Sequence, residues 1–197
     1  MKKEVFIMHD FKALSRQAHT LVIFKSLHEV PVFEKLLDTL AVCESDSDMA
    51  IEKYSDFVAE LFAYSDNLTE YMLKLVLENE NLFMLKKGEG KETGALLEEC
   101  LANELAVIEE LSQIPSDEII SKIDYDGFLP RYATQKLDFS QIYADRIHAI
   151  GQYGYGIYSQ YHVFVIKDGK IVPVEYPDDI KLSDLHNYER ERQEVIN

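Results

Sequence analysis

The chain has 197 residues, 47% of them hydrophobic, with 20 basic against 36 acidic residues and a net charge of −16. This is enough chain for one good core or two small ones. A surface this negative repels nucleic-acid phosphates and anionic lipid, so non-specific binding to DNA, RNA or membrane is disfavoured, a local basic patch aside, and protein partners are expected.

The N-terminal run Val5–Met8 is too short for a secretory signal, and no small-residue cleavage site follows it. No stretch approaches 18 apolar residues, so no membrane span is expected and the expected location is the cytoplasm. The two cysteines, Cys43 and Cys100, lie far apart with no CxxC or Cys/His cluster. Both sit in apolar helical patterns and read as buried free thiols.

The first two-thirds of the chain reads as helices. Over 10–29, Phe11, Leu14, Ala18, Leu21, Val22 and Leu27 recur near a 3.6-residue period and predict one helix. Pro31 breaks the chain and opens a second helix at its first turn, running to about Cys43. After the polar connector 44–48, a third helix places Ile51, Tyr54, Phe57, Val58, Leu61 and Phe62 on one face. Asn67 is the expected N-cap of the next helix, with Glu70 as its capping-box partner. Tyr71, Met72, Leu75, Val76, Leu82 and Phe83 are its expected core residues.

The glycine-containing run 86–94 reads as a mobile loop. Another amphipathic helix follows from Gly94 to Gln113, carrying Leu97, Leu101, Leu105, Ile108 and Leu111. Beyond Pro115 the sequence predicts a short helix, a loop over 124–135 with no period, and a helix over 137–154 that fails at its glycines. From about residue 155 the chain becomes β-branched and aromatic. Asp168-Gly169 is a two-residue hairpin signal, with strands expected at 161–166 and 171–176. Pro173 marks the second as an edge or bulged strand. A final helix is expected from about Tyr188.

The expected fold is therefore mainly α: a multi-helix N-terminal domain, then a small β-hairpin and a linker helix. The expected domains are an acidic helical one over 1–150 and a Gly/Tyr connector, hairpin and terminal helix over 151–197.

No complete catalytic constellation is visible. The run 88–94 carries Gly90-Lys91-Glu92, with Leu85 where a P-loop needs its first glycine and Glu92 where it needs Ser or Thr. The six histidines show neither HExxH nor HxH spacing. His9-Asp10 is an isolated "HD" dipeptide, and Asp145/His148 has the spacing of a di-iron pair with no second copy. The carboxylates at Glu78, Glu80, Glu98 and Glu99 read as a solvated acidic face. No GxSxG elbow is present, and neither cysteine has an identifiable His and Asn partner. No catalytic residue and no metal ligand is assigned.

The C-terminal stretch carries the one specific pattern. Tyr155-Gly156-Ile157, Pro177-Asp178, Ile180, Leu182-Ser183-Asp184-Leu185 and Tyr188-Glu189 resemble a segment of a bacterial family of AAA-type ATP-binding proteins, classed under a domain of unknown function. The upstream run 68–83 resembles the same family more loosely. His186-Asn187 stands where the family pattern has an Ile/Leu-Gly pair; Asn can adopt the same turn. The resemblance implies that Leu185, His186 and Tyr188 form part of an adenine wall, but only in the full-length module. It also implies ATP and Mg for the full-length parent and no cofactor for this chain, in which no Walker A or Walker B motif occurs. Expected partners are other proteins and the parent's own AAA core, with oligomerisation possible in that parent. The chain alone is expected to be inactive. The competing expectation is a free-standing helical adaptor.

Overall fold

The computed structural model describes residues 9–45, 47–148, 164–167 and 170–173. The chain divides into two compact units, Met1–Gly156 and Ile157–Asn197. Among the described residues the protein is mainly helical.

The first unit contains α1 (Phe11–Ala18), α2 (Pro31–Val42), α3 (Ser47–Phe62), α4 (Leu68–Glu78), α5 (Leu82–Gly88), α6 (Ala95–Ser112), α7 (Ser116–Ile120) and α8 (Phe139–His148). Pro31 opens α2 as expected, because its fixed φ suits the first turn and its missing N–H has no intrahelical partner there. Asn67 caps α4 by accepting the N–H of Glu70. The capping box is not completed. The N–H of Asn67 goes to Ser65 Oγ, and the Glu70 side chain accepts from Gln135 Nε2 instead.

Two expected helices are broken. The predicted 10–29 helix stops at Ala18, and only a 3₁₀ turn, Lys25–Glu29, resumes it. The β-branched run Thr20, Val22 and Ile23 is a poor helix former, and Thr20 turns back to bond Gln17 O. Val22, expected on the apolar face, is 71% exposed. The second break falls in Glu78-Asn79-Glu80-Asn81. Asn79 is extended, and Asn81 starts α5 by accepting the N–H of Met84. Asparagine competes for backbone hydrogen bonds and so favours caps over helix interiors. As a result Leu82 turns outward, 55% exposed, whereas Phe83 is buried. Phe62 is exposed and Leu75 half-buried, both less enclosed than their period suggested.

The core is built from Phe11, Phe24, Phe33, Phe57 and Phe139, with Tyr54 and Tyr143 fully enclosed. The aromatic contacts are mostly edge-on: Phe57 meets Tyr132 at 5.4 Å and Phe24 meets Tyr143 at 5.8 Å. Such pairs prefer the edge-to-face arrangement because the ring edge is positive and the face negative.

The aperiodic 124–135 stretch is stitched down by polar groups. Tyr54 Oη donates to Pro130 O (2.6 Å), Tyr132 Oη donates to Ile114 O (3.0 Å), and Leu68 N–H donates to Ala133 O (2.9 Å). An isolated parallel bridge joins Asn67 and Ala133.

Of the two cysteines, Cys43 is buried and Cys100 is exposed, which corrects the expectation for Cys100. Burial pushes the Cys43 thiol up to about 11. The folded chain therefore holds this proton more tightly than the unfolded chain does. That stabilisation is complete below pH ~9 and is lost as pH rises towards 11, because unfolding then releases a proton. Urea melts from pH 8 to 11 should show a decline to which Cys43 contributes about 2 kcal/mol. Cys43→Ala should flatten that part of the profile, and an unchanged slope would contradict the assignment.

In the second unit, β1 (Phe164–Lys167) and β2 (Lys170–Pro173) pair antiparallel, with Val165 opposite Val172 and Ile166 opposite Ile171. They overlap the 161–166 and 171–176 read from the sequence and each reaches one residue nearer the turn, to Lys167 and from Lys170; 161–163 and 174–176 lie outside the described residues. The expected helix from Tyr188 lies outside the described residues.

Candidate functional site

α6 organises the first unit through its carboxylates. Its apolar stripe of Leu105, Ile108 and Leu111 is buried, and the acids beside it point into neighbouring chain. Glu104, 6% exposed, accepts the backbone N–H groups of Val22 (2.8 Å), Ile23 (3.0 and 3.1 Å) and Phe24 (3.0 Å). One carboxylate thus satisfies three consecutive donors that the break after α1 leaves without helical partners. Glu109 accepts the N–H of Phe139 at the start of α8 (2.7 Å). On α7, Glu118 takes both the backbone N–H of His9 (2.6 Å) and its ring Nδ1–H (2.8 Å).

Between α5, α6 and α8 lies an open groove of ≈ 270 Å³. Its walls include Phe83 of α5, Leu101 and Leu105 of α6, and Tyr143 and Ile147 of α8. Asn81 donates to Tyr143 Oη (3.2 Å), tying the start of α5 to α8. Burial pushes the Tyr143 hydroxyl up to about 12, so it stays protonated at neutral pH. At the rim, Lys87 Nζ lies 3.6 Å from Glu98 and 5.4 Å from the Phe83 ring centre. The hydrogen bond from Thr93 Oγ1 (2.7 Å), then the charge of Lys87, hold the Glu98 carboxyl below its usual range. A groove with an apolar floor and a few rim charges is suited to holding an apolar side chain.

A second cleft, ≈ 490 Å³, is polar and lined by His9, Glu109, Glu110, Gln113 and Asp138. His9 and Glu109 are already engaged as described. Among the described residues no group of three His, Cys, Asp or Glu side chains is placed to hold a metal ion. No described helix is long and apolar enough to cross a membrane.

The residues singled out by the sequence are scattered. Asp10 of the "HD" dipeptide caps α1 by accepting the N–H of Ala13 (2.9 Å), while His9 turns to Glu118. Asp145 accepts from Gln141 Nε2 (2.8 Å), and His148 ends α8 beside the groove. The glycine run has positive φ at Gly90 (68°) and Gly94 (76°), and Lys91 pairs with Glu89 at 2.6 Å. α5 extends into this run, to Gly88. Leu185, His186 and Tyr188 lie outside the described residues, as does the 151–158 glycine-tyrosine run.

Sequence reasoning missed Glu104, Glu109 and Glu118. They stand among 36 acidic residues, and their spacing does not distinguish them from solvated neighbours. The only local signal was for the partner of Glu104, a β-branched run unsuited to the helix predicted through it.

No protein family, no curated protein and no solved structure matches this chain.

Proposed function

We propose that this chain is the non-catalytic, mainly helical N-terminal region of a cytoplasmic, bacterial AAA-type ATP-binding protein, and that it acts in protein recognition. The observation that carries the reading is the run Pro177-Asp178, Leu182-Ser183-Asp184-Leu185 and Tyr188-Glu189 behind a helical unit. On this reading the small hairpin and a linker helix lead from the helical unit into the ATPase core of the parent. Leu185, His186 and Tyr188 would contribute to the adenine wall there, and ATP with Mg would be bound only by the full-length protein. The acidic surface favours protein partners over nucleic acid or membrane. The way α6 and α7 direct Glu104, Glu109 and Glu118 to backbone donors is in keeping with a scaffold role.

The second reading is a free-standing helical adaptor without an ATPase. It is favoured by the self-contained aromatic core of the first unit.

Isothermal titration with Mg-ATP separates them, comparing this chain with a version extended by ~200 residues of its gene, a typical domain length. Binding by the extended protein alone is the expected result. Binding by the 197-residue chain would overturn the non-catalytic assignment. Binding by neither would remove the ATPase reading and leave the adaptor.

A further inference from the structure

Two tyrosines meet where α3 turns into α4. Tyr64 lies just past the end of α3 and Tyr71 in the first turns of α4. Their rings stack with centroids 5.3 Å apart and planes 29° from parallel. Ring carbons in contact sit about 3.5–4.0 Å apart, so the longer centroid distance means an offset stack, with the edge of one ring over the other. Among the described residues no other two tyrosine rings stack: Tyr54, Tyr132 and Tyr143 meet phenylalanines instead.

The backbone fixes this stack. Tyr64 N–H bonds Leu61 O (2.9 Å) and Tyr71 N–H bonds Asn67 O (3.1 Å). Between them Ser65 Oγ donates to Asn67 O (3.2 Å) and accepts the Asn67 N–H (3.0 Å). Asp66 O and Leu68 N–H pair with Ala133 (2.7 and 2.9 Å). The two rings differ in access, with Tyr64 62% exposed and Tyr71 9% exposed. An oxidant too large to enter the core therefore meets Tyr64. An exposed ring also turns about its Cβ–Cγ bond rapidly, which brings each of its ortho carbons in turn over the partner.

We propose that Tyr64 and Tyr71 form an oxidative modification site, at which a peroxidase-type one-electron oxidant makes an intramolecular dityrosine bond. Each one-electron oxidation takes an electron and a proton from a phenol and leaves a phenoxyl radical. Tyr64 is oxidised first. Its radical takes an electron from Tyr71 across the stack and a proton from water, Tyr71 loses its own phenolic proton, and Tyr64 is then oxidised a second time. The two radicals join through ring carbons ortho to the hydroxyls, and the ortho hydrogens shift to the oxygens to restore both phenols. In total two electrons and two protons leave the protein, and they reduce one hydrogen peroxide to two waters. The product is a carbon–carbon bond tying the end of α3 to α4. Thiol reductants, which act on disulfides, do not reverse it. The inference rests on neither the ATPase nor the adaptor reading.

The test is treatment of the purified 197-residue chain with a haem peroxidase and hydrogen peroxide. Dityrosine fluorescence, denaturing gels and peptide mapping follow the product. Wild type should gain dityrosine fluorescence while still running as a monomer. Its yield should not depend on protein concentration, as an intramolecular step requires. Trypsin releases residues 54–74 as one peptide, bounded by Lys53 and Lys74. That peptide should be lighter by two hydrogens, counted apart from any oxygen added at Met72. It should give no backbone fragment ions from between residues 64 and 71. Tyr64→Phe and Tyr71→Phe should each lower the yield of this product at least about tenfold, because coupling depends on the proximity of the stacked pair. Tyr125→Phe, at an exposed tyrosine outside the stack, should leave it unchanged. Circular dichroism melts check that the variants fold, and the wild-type peptide map decides the matter even where one does not. A wild-type 54–74 peptide that keeps both hydrogens once the peroxide is spent overturns the proposal. So does a tyrosine-linked dimer as the main product, or a cross-link that survives either substitution in the pair.

Discussion

Glu104→Ala should destabilise the first unit by about 3–5 kcal/mol. Three neighbouring backbone N–H groups, of Val22, Ile23 and Phe24, converge on this one carboxylate, and those of Ile23 and Phe24 are buried. Alanine offers them no acceptor, and a buried donor left unpaired costs roughly 1–3 kcal/mol. The total stays below the sum because water reaches the exposed Val22 end. Glu104→Gln keeps one acceptor oxygen and the shape of the side chain, so it should cost about 1–2 kcal/mol. Urea denaturation followed by far-UV circular dichroism gives both values. A Glu104→Ala variant within 0.5 kcal/mol of wild type would show that the contact between α6 and the segment after α1 contributes little. Because the latched segment leads into Phe24, which is fully buried against Tyr143, the effect should extend to near-ultraviolet tyrosine signals.

Asn81→Ala should be the next most damaging of the polar substitutions, at about 2–4 kcal/mol. Asn81 is 4% exposed and does two things at once. Its side-chain oxygen caps α5 through Met84 N–H (3.0 Å), and its amide donates to Tyr143 Oη (3.2 Å). Cap loss costs about 1 kcal/mol, and the unpaired buried groups left behind add the rest. A double-mutant cycle with Tyr143→Phe separates the two. If the Asn81–Tyr143 bond couples α5 to α8, the pair should show a coupling of about 0.5–1.5 kcal/mol. A coupling of zero would reduce Asn81 to a cap.

Different parts of this molecule were legible to different degrees. Asn67 and Pro31 announce the starts of α4 and α2 because capping depends on residues only a few positions apart. The apolar stripe of α6 was readable for the same reason: Leu105, Ile108 and Leu111 repeat at helical spacing and are all buried. The continuous helix expected over 10–29 failed because an apolar period says which side chains want burial, not whether the backbone stays helical between them. Phe24 and Leu27 are buried as apolar residues should be, yet they reach the core from a turn and a 3₁₀ segment. Cys100 shows the converse, a residue in an apolar pattern whose position on α6 faces water.

The helical class of the first unit, most of its helix starts and the acidic character of the chain are all written in the local sequence. These follow from short-range spacing and from simple charge counting. The packing of the folded chain selects which three of the many carboxylates are structural. Glu104 lies some 80 residues from the N–H groups it holds, Glu118 lies 109 from His9, and Glu109 lies 30 from Phe139. It also decided that Phe83, Leu101 and Ile147 would share a groove while Phe128 stands outside it. A carboxylate is buried or solvated according to the donors that distant segments bring to it, and a hydrophobic side chain finds or lacks a neighbour in the same way. Neither fact exists in the chain until the helices have packed.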